Sequence, residues 1–110
     1  MASTLPAGQL FALDALVTPT AHGIASRVLA RAAAGNITLF AFDAGEELSE
    51  HTAPFDALVI TLTGSLVLRI GGREVQTTPQ SAVLMPANVP HALRAGETSR
   101  MLLIMLRERE

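Results

Sequence analysis

The amino-acid sequence predicts an all-β, single-domain sandwich or jelly-roll barrel, and three observations carry that expectation. About nine short runs of strand-forming residues recur along the chain, with turn signals between them every several residues. One of those signals, Gly71-Gly72, is the tight two-glycine kind that closes a hairpin. The third is size: 110 residues, 49% of them hydrophobic and only 16% charged, can bury one real core but not two.

Residues 1–9 read as a small, polar tail. From Gln9 to Val17, Leu10, Leu13, Leu16 and Val17 share one helical face and Pro19 stops a helix from going further, so a short N-terminal helix is expected; a strand laid on a sheet edge would use the same residues. His22-Gly23 reads as a turn, and Ser26 to Ala33 as a strand with Val28 and Ala30 opposite Arg27 and Arg31. Residues 1–24 are therefore taken as a segment packing on the barrel and 25–110 as the barrel.

Gly35-Asn36 is a hairpin signal, and the β-branched and aromatic run from Ile37 to Phe42 after it suits a central strand. Asp43-Ala44-Gly45 is the next turn. Leu48 to Thr52 makes a short strand that Pro54 interrupts, because proline lacks an N–H and holds the residue before it extended. Ala57 to Thr63 resumes pairing, and Gly64 marks a bend. In Ser65 to Ile70, Leu66, Leu68 and Ile70 alternate with Ser65, Val67 and Arg69, and beyond Gly71-Gly72 the strand Arg73 to Thr77 returns with Val75 inward. Thr78-Pro79-Gln80 turns into Ala82 to Met85, a loop from Pro86 to Pro90 leads to the brief strand His91 to Ala95, and Gly96-Glu97-Thr98 is the last turn. Arg100 to Arg107 holds six apolar residues in succession, so both of its faces need cover, the second of them from the other sheet or from another subunit.

Composition excludes several chemistries. The chain has no Cys, Lys or Tyr, which removes thiolate nucleophiles, thiolate metal sites, disulfides, Schiff bases and phenolic acids; His, carboxylate, Arg and hydroxyl chemistry remain. A net charge of −2 and arginines scattered along the chain argue against nucleic acid as a partner. The N-terminus lacks the pattern of a signal peptide, and Met101 to Leu106 is too short to span a bilayer, so a soluble cytoplasmic protein without membrane contact is expected.

The spacing of a few residues resembles the cupin family, whose first motif is written G-x5-H-x-H-x3-4-E-x6-G and whose second is G-x5-P-x-G-x2-H-x3-N. Gly45 stands six positions before His51 and Gly64 thirteen after it; Pro86 stands five before His91. The match spans roughly residues 37 to 106 and looks most like the small one-barrel cupins. Several positions depart from it. The second histidine and the glutamate of the first motif fall on Ala53 and Ala57, and the second motif has Gln80 and Asn88 in place of glycines and Ala95 in place of asparagine. The resemblance implies a jelly-roll barrel in which His51 and His91 converge on one cavity. It also implies a metal held by three histidines and a carboxylate or glutamine, a set of which only His51 and His91 are present.

His51 and His91 are thus the candidate ligand-binding pair and the first candidates for a metal. Asp56 is the third, since it shares the parity of Leu58, Ile60 and Leu62 and points inward beside His51 if that face is the inner one; a carboxylate capping the turn is the alternative. Two histidines and a carboxylate would suit a divalent ion, Fe, Mn, Ni or Zn, while two histidines alone leave open that none is bound. Arg69 and Arg94 are the cations placed nearest the cavity mouth, with an exposed surface role as the alternative; Glu46, Glu47 and Glu50 read as a solvated strand edge, Met85, Met101 and Met105 as packing residues, with the lining of an adaptable pocket as the alternative, and His22 as a turn residue. The expected function is a barrel that binds or senses a small polar metabolite around His51 and His91, working as a homodimer. A metal-dependent isomerase or oxygenase is the alternative, and an accessory subunit without a ligand a third reading.

Overall fold

The computed structural model describes residues 4–107. The ends of the expected N-terminal tail and of the chain, residues 1–3 and 108–110, lie outside the described residues. One short helix, α1 (Leu13–Leu16), precedes nine strands: β1 (Ile24–Ala32), β2 (Gly35–Phe42), β3 (Glu47–His51), β4 (Asp56–Thr63), β5 (Leu66–Ile70), β6 (Arg73–Gln76), β7 (Ser81–Met85), β8 (His91–Ala95) and β9 (Ser99–Leu106). They form two antiparallel sheets, one of five strands in the order β1-β2-β9-β4-β7 and one of four in the order β3-β8-β5-β6. This is the jelly roll that the alternation and turn signals predict. No helix of the described residues is long and apolar enough to cross a membrane.

Alternation decides which side chains fill the space between the sheets. Leu66 and Leu68 of β5, Leu93 and Ala95 of β8, Phe42 of β2, Val59 of β4 and Met101 of β9 are all buried there, each large aliphatic or aromatic side chain contributing about 1.5–3 kcal/mol. The core also holds a satisfied polar knot: Thr61 Oγ1 donates to Thr77 Oγ1 at 2.8 Å, and Thr77 Oγ1 accepts the Leu66 N–H at 2.9 Å. A second, smaller cluster lies on the outer face of the five-stranded sheet, where Val17 and Leu16 cover Leu39, Ala41 and Leu102.

Local expectations differ from the structure in four places. The N-terminal helix is one turn rather than the stretch from Gln9 to Val17: Leu10 is 97% exposed, so the leucine face has nothing to pack on until Leu16 and Val17. The turn of the first hairpin falls at Ala33-Ala34, and Gly35 is already in β2 opposite Ala32. Glycine is required there for another reason, since a Cβ would collide with the Met105 carbonyl of the neighbouring strand. A bulge between Val28 and Ala30 breaks the parity expected of β1. On β4 the inner face is Ala57, Val59 and Thr61, while Leu58, Ile60 and Leu62 face outward.

The strongest turn signals read true. Gly71 and Gly72 have φ of 57° and 84°, the double left-handed conformation of a primed hairpin turn. His22 also sits at positive φ, 58°, in a turn fastened by its own N–H donating to Asp43 Oδ2 at 2.6 Å. That bond, together with one from the Ala44 N–H, holds the Asp43 carboxyl below the usual carboxylate range.

Candidate functional site

His51 ends β3 and His91 begins β8, and the two strands pair so that these residues lie directly opposite each other. The rings meet edge to face, centroids 4.4 Å apart, with Nε2 of one 3.2 Å from Nε2 of the other. His91 is buried, 7% exposed, whereas His51 stands at the exposed end of its strand. Histidines forty positions apart in sequence therefore form one unit, as the resemblance implies.

Backbone carbonyls set the tautomer of both rings. His51 Nδ1 faces the Ser49 carbonyl at 2.9 Å and His91 Nδ1 faces the Val89 carbonyl at 3.1 Å. A carbonyl oxygen only accepts, so each Nδ1 must donate and carry the proton. Both Nε2 atoms then present lone pairs to one another, a contact that is attractive only with a proton or another cation between them. Fixing one ring nitrogen by a backbone bond is also how ligating histidines are commonly oriented.

The pair borders a cavity of about 180 Å³ between the two sheets. From the four-stranded sheet, Leu48 and Leu93 form one wall; from the five-stranded sheet, Ala57, Met85, Leu103 and Met105 form the other. Ala57 pairs with Met85 on one side and Met105 on the other, which explains why this wall is continuous and apolar. Ala53 and Phe55 close the end of the cavity, and among the described residues the two imidazoles are the only ionisable side chains lining it.

Asp56 is not brought to the pair. Its parity places it outward with Leu58 and Ile60, and its Oδ1 accepts the Ala87 N–H at 2.8 Å, so it ties the start of β4 to the Pro86–Pro90 loop. Motif spacing, which points to residue 57 instead, picks the position on the cavity wall, and that position is an alanine. Arg69 and Arg94 also lie away from the cavity mouth: they belong to a shallow recess with Glu47 and Glu74, Arg69 paired to Glu74 at 3.2 Å across the β5–β6 hairpin. Met85 and Met105, read from sequence as packing residues with a pocket lining as the alternative, line the cavity, and Phe55 was singled out by no motif.

The donor set does not fit a resident metal ion. The 3.2 Å separation suits two neighbouring ligands of one ion, but a structural site takes four protein ligands and a catalytic one usually three. Among the described residues no group of three or more His, Cys, Asp or Glu side chains is placed to hold an ion.

A family model described as the AraC-binding-like domain matches residues 8–110. Among solved structures, a conserved protein of unknown function from Streptococcus pyogenes superposes with a TM-score of 0.90 at 29% identity, over 96% of this chain and 93% of that one. A cupin superfamily protein from Desulfitobacterium hafniense DCB-2 gives 0.87 at 28% identity, over 94% of this chain and 95% of that one. A cupin 2 conserved barrel domain protein from Leptotrichia buccalis gives 0.83 at 32% identity over 88% of this chain, which spans 47% of its length. No curated protein matches the chain.

Proposed function

Because the chain belongs to the AraC-binding-like domain family and folds as a small cupin barrel, we propose that it is a binding module, taking one small metabolite into the cavity beside His51 and His91 without transforming it. The observation that carries this reading is the pair of alanines at 53 and 57: both line the cavity, at the two places where the cupin motif asks for a histidine and a glutamate. The result is a mainly apolar hollow with one convergent polar feature, the usual design of a small-molecule site. The family description, a binding-like domain, points the same way. A ligand with an apolar body suits this lining better than a wholly polar one.

A metal-dependent isomerase or oxygenase is the second reading, favoured by one observation, the two Nε2 lone pairs facing each other at 3.2 Å. An ion between them would need its remaining ligands from solvent or substrate. Elemental analysis of protein purified without chelator separates the two. A near-stoichiometric transition metal overturns the binding-only reading; no uptake after incubation with Fe, Mn, Ni and Zn supports it.

A double-mutant cycle tests the pair itself. His51→Ala and His91→Ala should each abolish most ligand or metal binding, and the double variant should lose little more, since residues acting as a unit are not additive. Additive losses would mean that the two histidines act separately.

A further inference from the structure

Phe55 touches two hollows. Its ring helps close the histidine cavity, and it also lines an outer recess of about 250 Å³ with Pro54, Asp56, Ala87, Leu106 and Arg107. The two differ in character. The inner one is lined by aliphatic side chains and the histidine pair, whereas the outer one has the Asp56 carboxylate and the Arg107 guanidinium on its walls. Volume also matters: at about 180 Å³ the inner hollow alone is smaller than the ~300–1,000 Å³ of most small-molecule sites, and the two together fall within that range.

The ring is placed where it can move. Phe55 lies in the turn between β3 and β4, outside both strands, half-buried and a member of neither hydrophobic cluster. The next residue is held, since Asp56 accepts the Ala87 N–H, so the side chain can turn while the backbone stays. Over the ring stands Arg107, its guanidinium carbon 5.5 Å from the centroid, in a cation–π contact. Arg107 is exposed and makes no ion pair among the described residues.

We propose that Phe55 is a movable partition, that the two hollows form one ligand site when it swings aside, and that this site takes an amphipathic monocarboxylate, its apolar chain in the histidine cavity and its carboxylate on Arg107. This rests on the binding reading above and names the ligand class. The guanidinium fork matches a carboxylate, and the aliphatic walls beyond the ring match a hydrocarbon chain.

The test uses the full chain and two probe series in titration calorimetry, straight-chain carboxylates from butanoate to decanoate and the primary alcohols of equal length. Affinity for the acids should keep rising past butanoate, as the chain comes to occupy both hollows. At low salt each longer acid should bind about fivefold tighter than its alcohol, and the advantage should fade with added salt. In Arg107→Gln each acid should bind no tighter than the alcohol of equal length measured in the same variant, and Phe55→Ala should quicken the exchange of the longer acids in stopped-flow measurements. Acids and alcohols binding alike, or an acid preference that survives Arg107→Gln and disappears in His91→Ala, overturns the proposal and leaves the cavity reading standing. Binding of neither series overturns the proposal and leaves the binding reading to the tests given above.

Discussion

Replacing Ala57 with glutamate would return a carboxylate to the cavity wall that faces the two imidazoles, and the consequence can be worked from the surroundings. Ala57 is 4% exposed, between Met85 and Met105, so the new group enters an apolar hollow where, among the described residues, the histidine pair supplies the ionisable side chains. Desolvating one ion in a protein costs several kcal/mol, which the nearby imidazoles only partly offset; a net loss of about 2 kcal/mol is expected without metal. In a domain of this size each kcal/mol moves Tm by about 4–8 °C, so the variant should melt roughly 10–15 °C lower. Zinc or nickel should reverse the loss. Two imidazoles and a carboxylate make the three-ligand set of catalytic zinc sites, and an ion present at about a thousand times its Kd stabilises by about 4 kcal/mol. Scanning calorimetry of parent and variant, each with and without metal, reads both effects, and Asp56→Asn serves as a control that should show neither. If Ala57→Glu melts like the parent and metal does not raise its Tm, residue 57 does not face the histidines.

Three further outcomes are expected. Gly71→Ala with Gly72→Ala should cost on the order of 1–3 kcal/mol, because both residues hold left-handed φ, 57° and 84°, and the Cβ at 71 would press on Val89 as well; an unchanged Tm would contradict the primed turn. Light scattering should report a dimer, since Ile37, Ile104, Leu58 and Leu84 align across four strands on the outer face of the five-stranded sheet, where Leu84 is 52% exposed; Leu84→Glu should give monomers, and a parent that is monomeric at micromolar concentration refutes the pairing. Asp43, its carboxyl lowered by the N–H groups of His22 and Ala44, contributes stability that is complete above the unfolded carboxylate pKa of about 3.9 and is lost as pH falls through the lower folded value; Asp43→Asn should flatten the acid limb of the pH–Tm curve, and an unaltered limb would show that these bonds carry no weight.

Most of the fold was legible because turn chemistry and alternation are local. Gly71-Gly72, Gly64 and the prolines around His91 are backbone requirements written into single residues, and the strands between them follow. The inner face of β4 was not legible in the same way. Leu58, Ile60 and Leu62 are the larger aliphatic residues and by period offered themselves as the inner face, against motif spacing that pointed to Ala57; the structure turns them outward and buries Ala57, Val59 and Thr61. Periodicity reports that two faces differ; it does not say which one meets the other sheet when the opposite face is itself covered, as Leu62 is by the N-terminal segment. Asp56 was drawn toward the site by that choice of face, and Phe55 escaped notice because a turn residue after proline has no period.

The frame around the histidines is kept even where its glycines are not. Gln80 and Asn88, at positions where the cupin motif has glycine, hold φ of 64° and 63°, beside Gly45 at 87° and Gly64 at 78°. A side chain in that conformation costs about 1–2 kcal/mol, and Asn88 is held to it by donating its N–H to the Ala53 carbonyl at 2.7 Å. The chain therefore spends stability to keep the loop that delivers His91 next to Ala53, at the end of the cavity. At the two positions where a side chain would complete a metal centre, it places a methyl group. The frame sets the shape of the hollow and residues 53 and 57 set the character of its wall, which is why the Ala57→Glu variant, rather than any change to the frame, is the decisive perturbation of this site.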